Sequence, residues 1–198
     1  MKRKWMALAL ALGLVAGMAG CGNQSAPSSR QASSGPVSET MNPYNLHQVV
    51  AENNEKGRTI MWELPSGKDN SLEYRKKGTH TVYTVPASGK PLEGNRGIKN
   101  GIVYTAKLDH LEKGESYEYR TREGNSVSAW YPLSTDDGGS FKAIVTSDSQ
   151  SSDYSDWENL IHHASDAHKD ASFMIVLGDL VDNGDDEYQW QTWFKSVE

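Results

Sequence analysis

The chain has 198 residues, a formal net charge of −6 and one cysteine, Cys21. The acidic balance argues against a nucleic-acid partner, which needs clustered Lys and Arg. A single cysteine excludes an intrachain disulfide and any zinc site built from several thiolates.

The first residues read as a targeting segment. Lys2, Arg3 and Lys4 make a positive start, and residues 6–19 are apolar but short for a transmembrane helix. The run closes in Met18-Ala19-Gly20-Cys21. Small residues before a cysteine at such a position resemble the signal of a bacterial lipoprotein. That resemblance implies a signal peptide and lipobox over residues 1–21, lipidation at Cys21, and an extracytoplasmic protein anchored to the cell membrane. An ordinary secretory signal with an incidental cysteine, giving a secreted protein, is the other reading. Residues 22–41 are rich in Ser, Gln, Pro and Ala, with too few apolar groups to pack, and predict a flexible linker.

Short strands separated by turn signals fill residues 42–136. The patterning predicts strands at 47–51, 59–64, 71–75, 79–85, 101–108, 116–120 and 127–131, a count that suits an antiparallel β-sandwich. Leu111 and Tyr117 flank a turn at Gly114, with Tyr119-Arg120 following. This resembles the tyrosine corner of fibronectin type III domains, and Trp62 resembles their buried tryptophan. Trp62, Tyr117 and Tyr119 are expected in the core rather than on a sugar-binding face.

Residues 132–140 read as a connection, after which the period changes. Residues 141–145 and 173–177 are apolar runs without alternation, which suits strands buried on both faces of a parallel sheet. Between them Ser155-Asp156-Trp157-Glu158 predicts a capping box with Ser155 as N-cap, and Trp157, Leu160, Ile161 and Ala164 recur on one helical face. His162, His163 and His168 fall on this helix without a shared face and are expected in solvent. A second helix follows Asp185-Asp186-Glu187, acids suited to a helix N-terminus, and carries a stripe of Trp190, Trp193, Phe194 and Val197. Strand–helix–strand places Asp148, in Ser147-Asp148-Ser149-Gln150, and Asp179, in Gly178-Asp179-Leu180-Val181-Asp182-Asn183-Gly184, at the same end of neighbouring strands, where open α/β sheets bind ligands. Asp182 and Asn183 read as loop-shaping residues.

A fibronectin-like sandwich followed by these two segments resembles the calcineurin-like metallophosphoesterases, in the two-domain order of purple acid phosphatases. The resemblance implies an all-β sandwich followed by the first β-α-β-α part of an α/β metallophosphoesterase domain over residues 141–198. It implies a phosphate-ester substrate and two divalent or trivalent metal ions (Fe, Mn or Zn). Asp148 is then a ligand of one metal and Asp179 bridges both. Gln150 stands where many relatives have a histidine and is a weaker ligand. Asp182 stands where purple enzymes have a tyrosine, so the match is to the wider family. The family's remaining histidine ligands, its catalytic histidine among them, have no counterpart after Asp179: all six histidines lie upstream. The expectation is a C-terminally incomplete phosphoesterase, inactive by itself. The alternative is a surface-anchored lipoprotein whose sandwich is a spacer or adhesion module beside a decayed enzyme remnant.

Overall fold

Alternation of inward apolar and outward polar side chains builds the first part of the molecule. The computed structural model describes residues 36–65, 69–92 and 101–198, with the backbone of 7–9 and 30–31. The strands are β1 (Ala7–Ala9), β2 (Arg30–Gln31), β3 (Ser38–Glu39), β4 (Tyr44–Val49), β5 (Arg58–Leu64), β6 (Asn70–Lys76), β7 (Tyr83–Pro86), β8 (Ser88–Pro91), β9 (Ile102–Leu108), β10 (Ser116–Glu123), β11 (Ser126–Val127), β12 (Tyr131–Ser134), β13 (Ala143–Thr146) and β14 (Phe173–Val176). Helix α1 (Ser155–Ala167) connects β13 to β14, and α2 (Glu187–Ser196) follows. Cys21 and most of the predicted signal and linker lie outside the described residues.

One sheet runs β4-β5-β9-β8. The facing sheet runs β2-β7-β6-β10-β11-β3, with β12 also paired to β10. Along β5, Ile60, Trp62 and Leu64 point inward while Thr59, Met61 and Glu63 point out. Trp62 stacks on Tyr104 of β9 at 5.7 Å. The other sheet contributes Leu72, Tyr74, Val85, Tyr117, Tyr119 and Leu133 to the same core. Full burial of residues such as Ile60 and Leu72 stabilises the sandwich by roughly 1.5–3 kcal/mol each. Trp62, Tyr117 and Tyr119 are core residues, as their spacing predicts.

The tyrosine corner forms. The Glu112 amide donates to Tyr117 Oη at 2.9 Å. Gly114 sits at φ 71° in the turn, where a side chain is strained and a Cβ would lie 3.2 Å from that of Asp137. The Thr135 hydroxyl closes the corner, donating to the Glu112 carbonyl at 2.6 Å and accepting from the Glu115 amide at 2.9 Å. On the outer face Glu73 is buried between Arg120 and Arg122, each 2.6 Å away. Arg75 and Arg120 lie 4.2 and 4.4 Å from the Trp130 ring centroid.

Several strands depart from their predicted positions for local reasons. The first begins at Tyr44 rather than 47, because Asn45 takes φ 50° and the pairing with β5 shifts register between Tyr44 and His47. The strand predicted at 79–85 shortens to Tyr83–Pro86, since a turn through Gly78 at φ 82° occupies its start. The one predicted at 127–131 divides at Ser128, whose Oγ accepts the Thr121 amide at 3.0 Å and donates to the Ala129 carbonyl. The predicted linker does not reach 41: Ser38–Glu39 pairs with β11, and the Met41 amide donates to the Val127 carbonyl.

In the second part, β13 and β14 are parallel, in register from Ala143↔Phe173 to Thr146↔Val176. The expectation that these strands are buried on both faces is not met. Both helices pack on one side, where Trp157, Ile161, Trp193 and Val197 cover Ile144, Met174 and Val176. Phe141, Val145 and Leu177 stay 64%, 56% and 69% exposed. Ala7–Ala9 lies parallel along the other edge of β14, making three strands where two were expected. The predicted capping box is absent. Tyr154 holds the N-cap position without a side-chain bond, because its ring is needed in the core. Asp153 Oδ1 instead accepts the Ser155 amide at 2.8 Å, and hydrogen bonds from the Ser155 side chain and backbone hold the Asp153 carboxyl below its ordinary range. Leu160 falls off the packed face and is 56% exposed. At α2 the acidic start works as expected, with Asp186 accepting the Tyr188 amide at 3.1 Å.

Replacing Tyr117 by Phe removes the corner hydrogen bond and leaves the Glu112 amide without its partner. Chemical denaturation of the chain is expected to show a loss of about 1 kcal/mol; an unchanged midpoint would mean that the hydroxyl contributes nothing.

Candidate metal centre

The candidate site grows from the way β13 and β14 end. Their ladder continues into the two loops: the Leu177 amide donates to the Thr146 carbonyl, the Asp148 amide to that of Gly178, and the Gln150 amide to that of Asp179, at 2.8, 3.1 and 2.8 Å. The loops bearing Asp148 and Asp179 are therefore stitched together at the C-terminal edge of a parallel pair. Both aspartates are exposed. Both take left-handed backbone conformations, φ 53° at Asp148 and 46° at Asp179, beside Gly178 at φ 146°. Asp tolerates this region better than most residues, but the conformation is strained, and such strain gathers at functional sites.

Gln150 is half-buried. Its Nε2 donates to Asp179 Oδ2 at 3.3 Å, and its Oε1 is buried with no partner. Ser149, between Asp148 and Gln150, points the other way. Its Oγ accepts Nε1–H of the fully buried Trp193 at 2.8 Å and donates to the Leu180 carbonyl at 3.3 Å. Trp193 in turn stacks on Trp157 of α1 at 5.9 Å. Helix α2 thus fixes the middle of the first aspartate loop and the residue after the second aspartate. The sequence presents Trp193 only as core. The available signal is chemical: a buried indole N–H needs an acceptor.

The structure brings together Asp148, Gln150 and Asp179. His162 and His163 are exposed on α1, and His168, expected on the helix, is exposed at its C-cap. Asn183 shapes the turn into α2, its carbonyl accepting the Asp186 amide and its amide donating to Gln189 Oε1 at 3.0 Å. Asp182 acts on Tyr154, whose hydroxyl pKa is raised first by burial and then by that charge. The donors offered are two carboxylates and an amide oxygen, which match a hard cation in kind. They do not match it in number: among the described residues no group of three or more His, Cys, Asp or Glu is placed to hold a metal ion. Among the same residues no helix is long and apolar enough to cross a membrane.

Comparison with known proteins supports the first part of the chain. Residues 43–135 match the family model described as purple acid phosphatase, N-terminal domain. Among solved structures, a purple acid phosphatase isolated from yellow lupin (Lupinus luteus) seeds matches with a TM-score of 0.67 at 15% identity, over 78% of this chain and 32% of that one. A fibronectin type III domain of human collagen XX matches with a TM-score of 0.34 at 12% identity, over 52% of this chain and 100% of that one. One from human contactin 1 gives 0.34 and 12%, over 63% and 97%. No curated protein matches. The chain spans about a third of the lupin enzyme's length, and at this identity that likeness is one of fold. The sandwich is similar to the N-terminal domain of purple acid phosphatases.

Proposed function

We propose that this chain belongs to a metal-dependent phosphoric ester hydrolase of the calcineurin-like kind, held outside the cytoplasm by a lipid on Cys21. The observation that carries the reading is the pair Asp148 and Asp179, set on stitched loops at the C-terminal edge of two parallel strands, directly after a sandwich similar to that of purple acid phosphatases. Asp148 would hold one metal ion and Asp179 would bridge two. Gln150 orients the Asp179 carboxylate through its amide and offers Oε1 as a weak further oxygen. Metals so bound would supply an activated water and neutralise charge on the phosphate. Within the chain, Trp193 and Ser149 hold the first loop in place. Cleavage before Cys21 would remove Ala7–Ala9, so the third strand of the small sheet would belong to the precursor.

The donor set described here is partial, and calorimetric titration of manganese into the chain is expected to give a dissociation constant of about a millimolar or weaker. Asp179→Asn should abolish that binding; tight binding untouched by this change would remove Asp179 from the ligand set. In a polypeptide carrying the complete set, a chromogenic phosphomonoester should be hydrolysed only with metal present, and Asp179→Asn should cost more activity than Gln150→Ala. With Asp182 in place of a tyrosine, that polypeptide should lack a tyrosinate-to-iron absorption band. A metal-loaded but wholly inactive protein would favour the spacer or adhesion reading. Separately, Cys21→Ala should move the expressed protein from the membrane to the soluble fraction, and unchanged partitioning would argue against the anchor.

A further inference from the structure

The sandwich and α2 meet through two carboxyl groups on one amide. Asn45, in β4 at φ 50°, directs its Nδ2 to Glu63 Oε1 of β5 at 3.1 Å and to Glu187 Oε1, the first residue of α2, at 2.9 Å. Gln191 Nε2 adds a long bond to the same Glu187 oxygen at 3.3 Å. Glu187 is 4% exposed, and Glu63 Oε2 is buried with no donor facing it. Two ionised carboxylates sharing one amide repel each other, and the orphaned Glu63 oxygen is where a proton relieves both the repulsion and the missing bond. Glu63 is the member of the pair with a buried oxygen lacking a partner, so the proton falls to Glu63.

We infer that Glu63 holds a proton beside Glu187 at the junction between the sandwich and α2, and that the seating of α2 on the sandwich loosens as that proton is lost. The neighbouring groups do not replace this proton with a cation. From β4, Tyr44 lies opposite Glu63 and His47 opposite Met61; from β9, Val103 lies opposite Glu63; from α2, Tyr188 and Lys195 are exposed. Glu198 lines the same cleft as His47 and Lys195. His47 stacks on Phe194 at 4.9 Å, with Nδ1 2.6 Å from the Asn45 carbonyl, and burial holds its ring below the ordinary histidine range against that hydrogen bond.

The direction follows from the two groups. Burial, opposed by the Asn45 amide and reinforced by Glu187, pushes the Glu63 carboxyl up to about 8 from an ordinary 4.5. A raised carboxyl contributes stability that is full below its unfolded value and is lost as pH rises through about 8. His47, lowered from 6.5, works in the opposite sense, but only below 6.5. From there to about 8 the carboxyl pair acts without that opposition. Because α2 also carries Trp193, a looser helix would loosen Ser149 and the Asp148 loop. Only this last step rests on the proposed function.

Amide hydrogen exchange on the full chain without metal, corrected for intrinsic rates from pH 6.5 to 9, tests the idea. Protection of α2 relative to the β5–β9 pair should fall by up to about tenfold per pH unit as far as about pH 8 and level off above it. In Glu63→Gln it should stay level. A wild-type profile that does not change with pH, or the same fall in Glu63→Gln, would overturn the inference. Should that variant not fold, infrared titration of the native chain decides. A protonated carboxyl band at pH 7 that disappears near pH 8 supports the proton on Glu63, and its absence at pH 7 refutes it.

Discussion

The parallel pairing of β13 with β14 is the constraint on which the candidate site depends. Antiparallel neighbours would send Asp148 and Asp179 to opposite ends of the sheet; parallel neighbours in register from Ala143↔Phe173 bring both to one edge. A parallel pair needs a crossover, and α1 provides it, burying Trp157 and Ile161 against Met174 and Val176. Three amide-to-carbonyl bonds then extend the pairing past the strands into both loops. The aspartates thus owe their proximity to backbone geometry, and their side chains are left exposed and available.

Helix α2 converts this local arrangement into one that includes the sandwich. Its apolar stripe divides: Trp193 and Val197 enter the α/β core, while Phe194 turns to His47 of β4. Its polar groups divide as well. Glu187 meets Asn45 of the sandwich, and the Trp193 indole meets Ser149 between the two candidate ligands Asp148 and Gln150. A helix tied at both ends gives the sandwich a route by which to affect the second unit. Buried polar ties are expensive unless satisfied, and a half-satisfied one is sensitive to protonation. The outer face of the sandwich offers the contrast. There Glu73 has an arginine on each of its oxygens and so gives a fixed, fully compensated arrangement.

Most of the sandwich was legible in the sequence because period-two alternation survives wherever one strand face is buried: β5, β6, β9 and β10 lie where the pattern puts them. What escaped was set by single residues, through a backbone conformation or a side-chain hydrogen bond. Asn45 at φ 50° moves the first strand, Gly78 shortens another, and Ser128 divides a third, and none of these changes the hydrophobic pattern. Asp148 and Asp179 stood out because polar residues end apolar runs. The partners that hold them did not, since Trp193 and Ser149 are 44 residues apart and meet only through tertiary packing. Glu63 was hidden for a similar reason. On an outward-facing strand position it reads as solvated, and the second carboxyl on its amide partner, that of Glu187, comes from a helix that starts more than a hundred residues later.

The conformation of the two aspartates adds a last step. At φ 53° and 46° glycine would fit without strain, and neither side chain is needed for packing, since both are exposed. The stitching bonds are backbone to backbone and would survive in a glycine. What glycine would remove is the carboxylate alone. Side-chain packing therefore does not require these conformations, and what they present at the edge of the sheet is a pair of carboxyl groups. Gln150 turns its amide nitrogen to Asp179, while its oxygen lies buried and unpartnered behind that edge. Two exposed carboxylates at one sheet edge are oxygen donors of the kind that hard cations take.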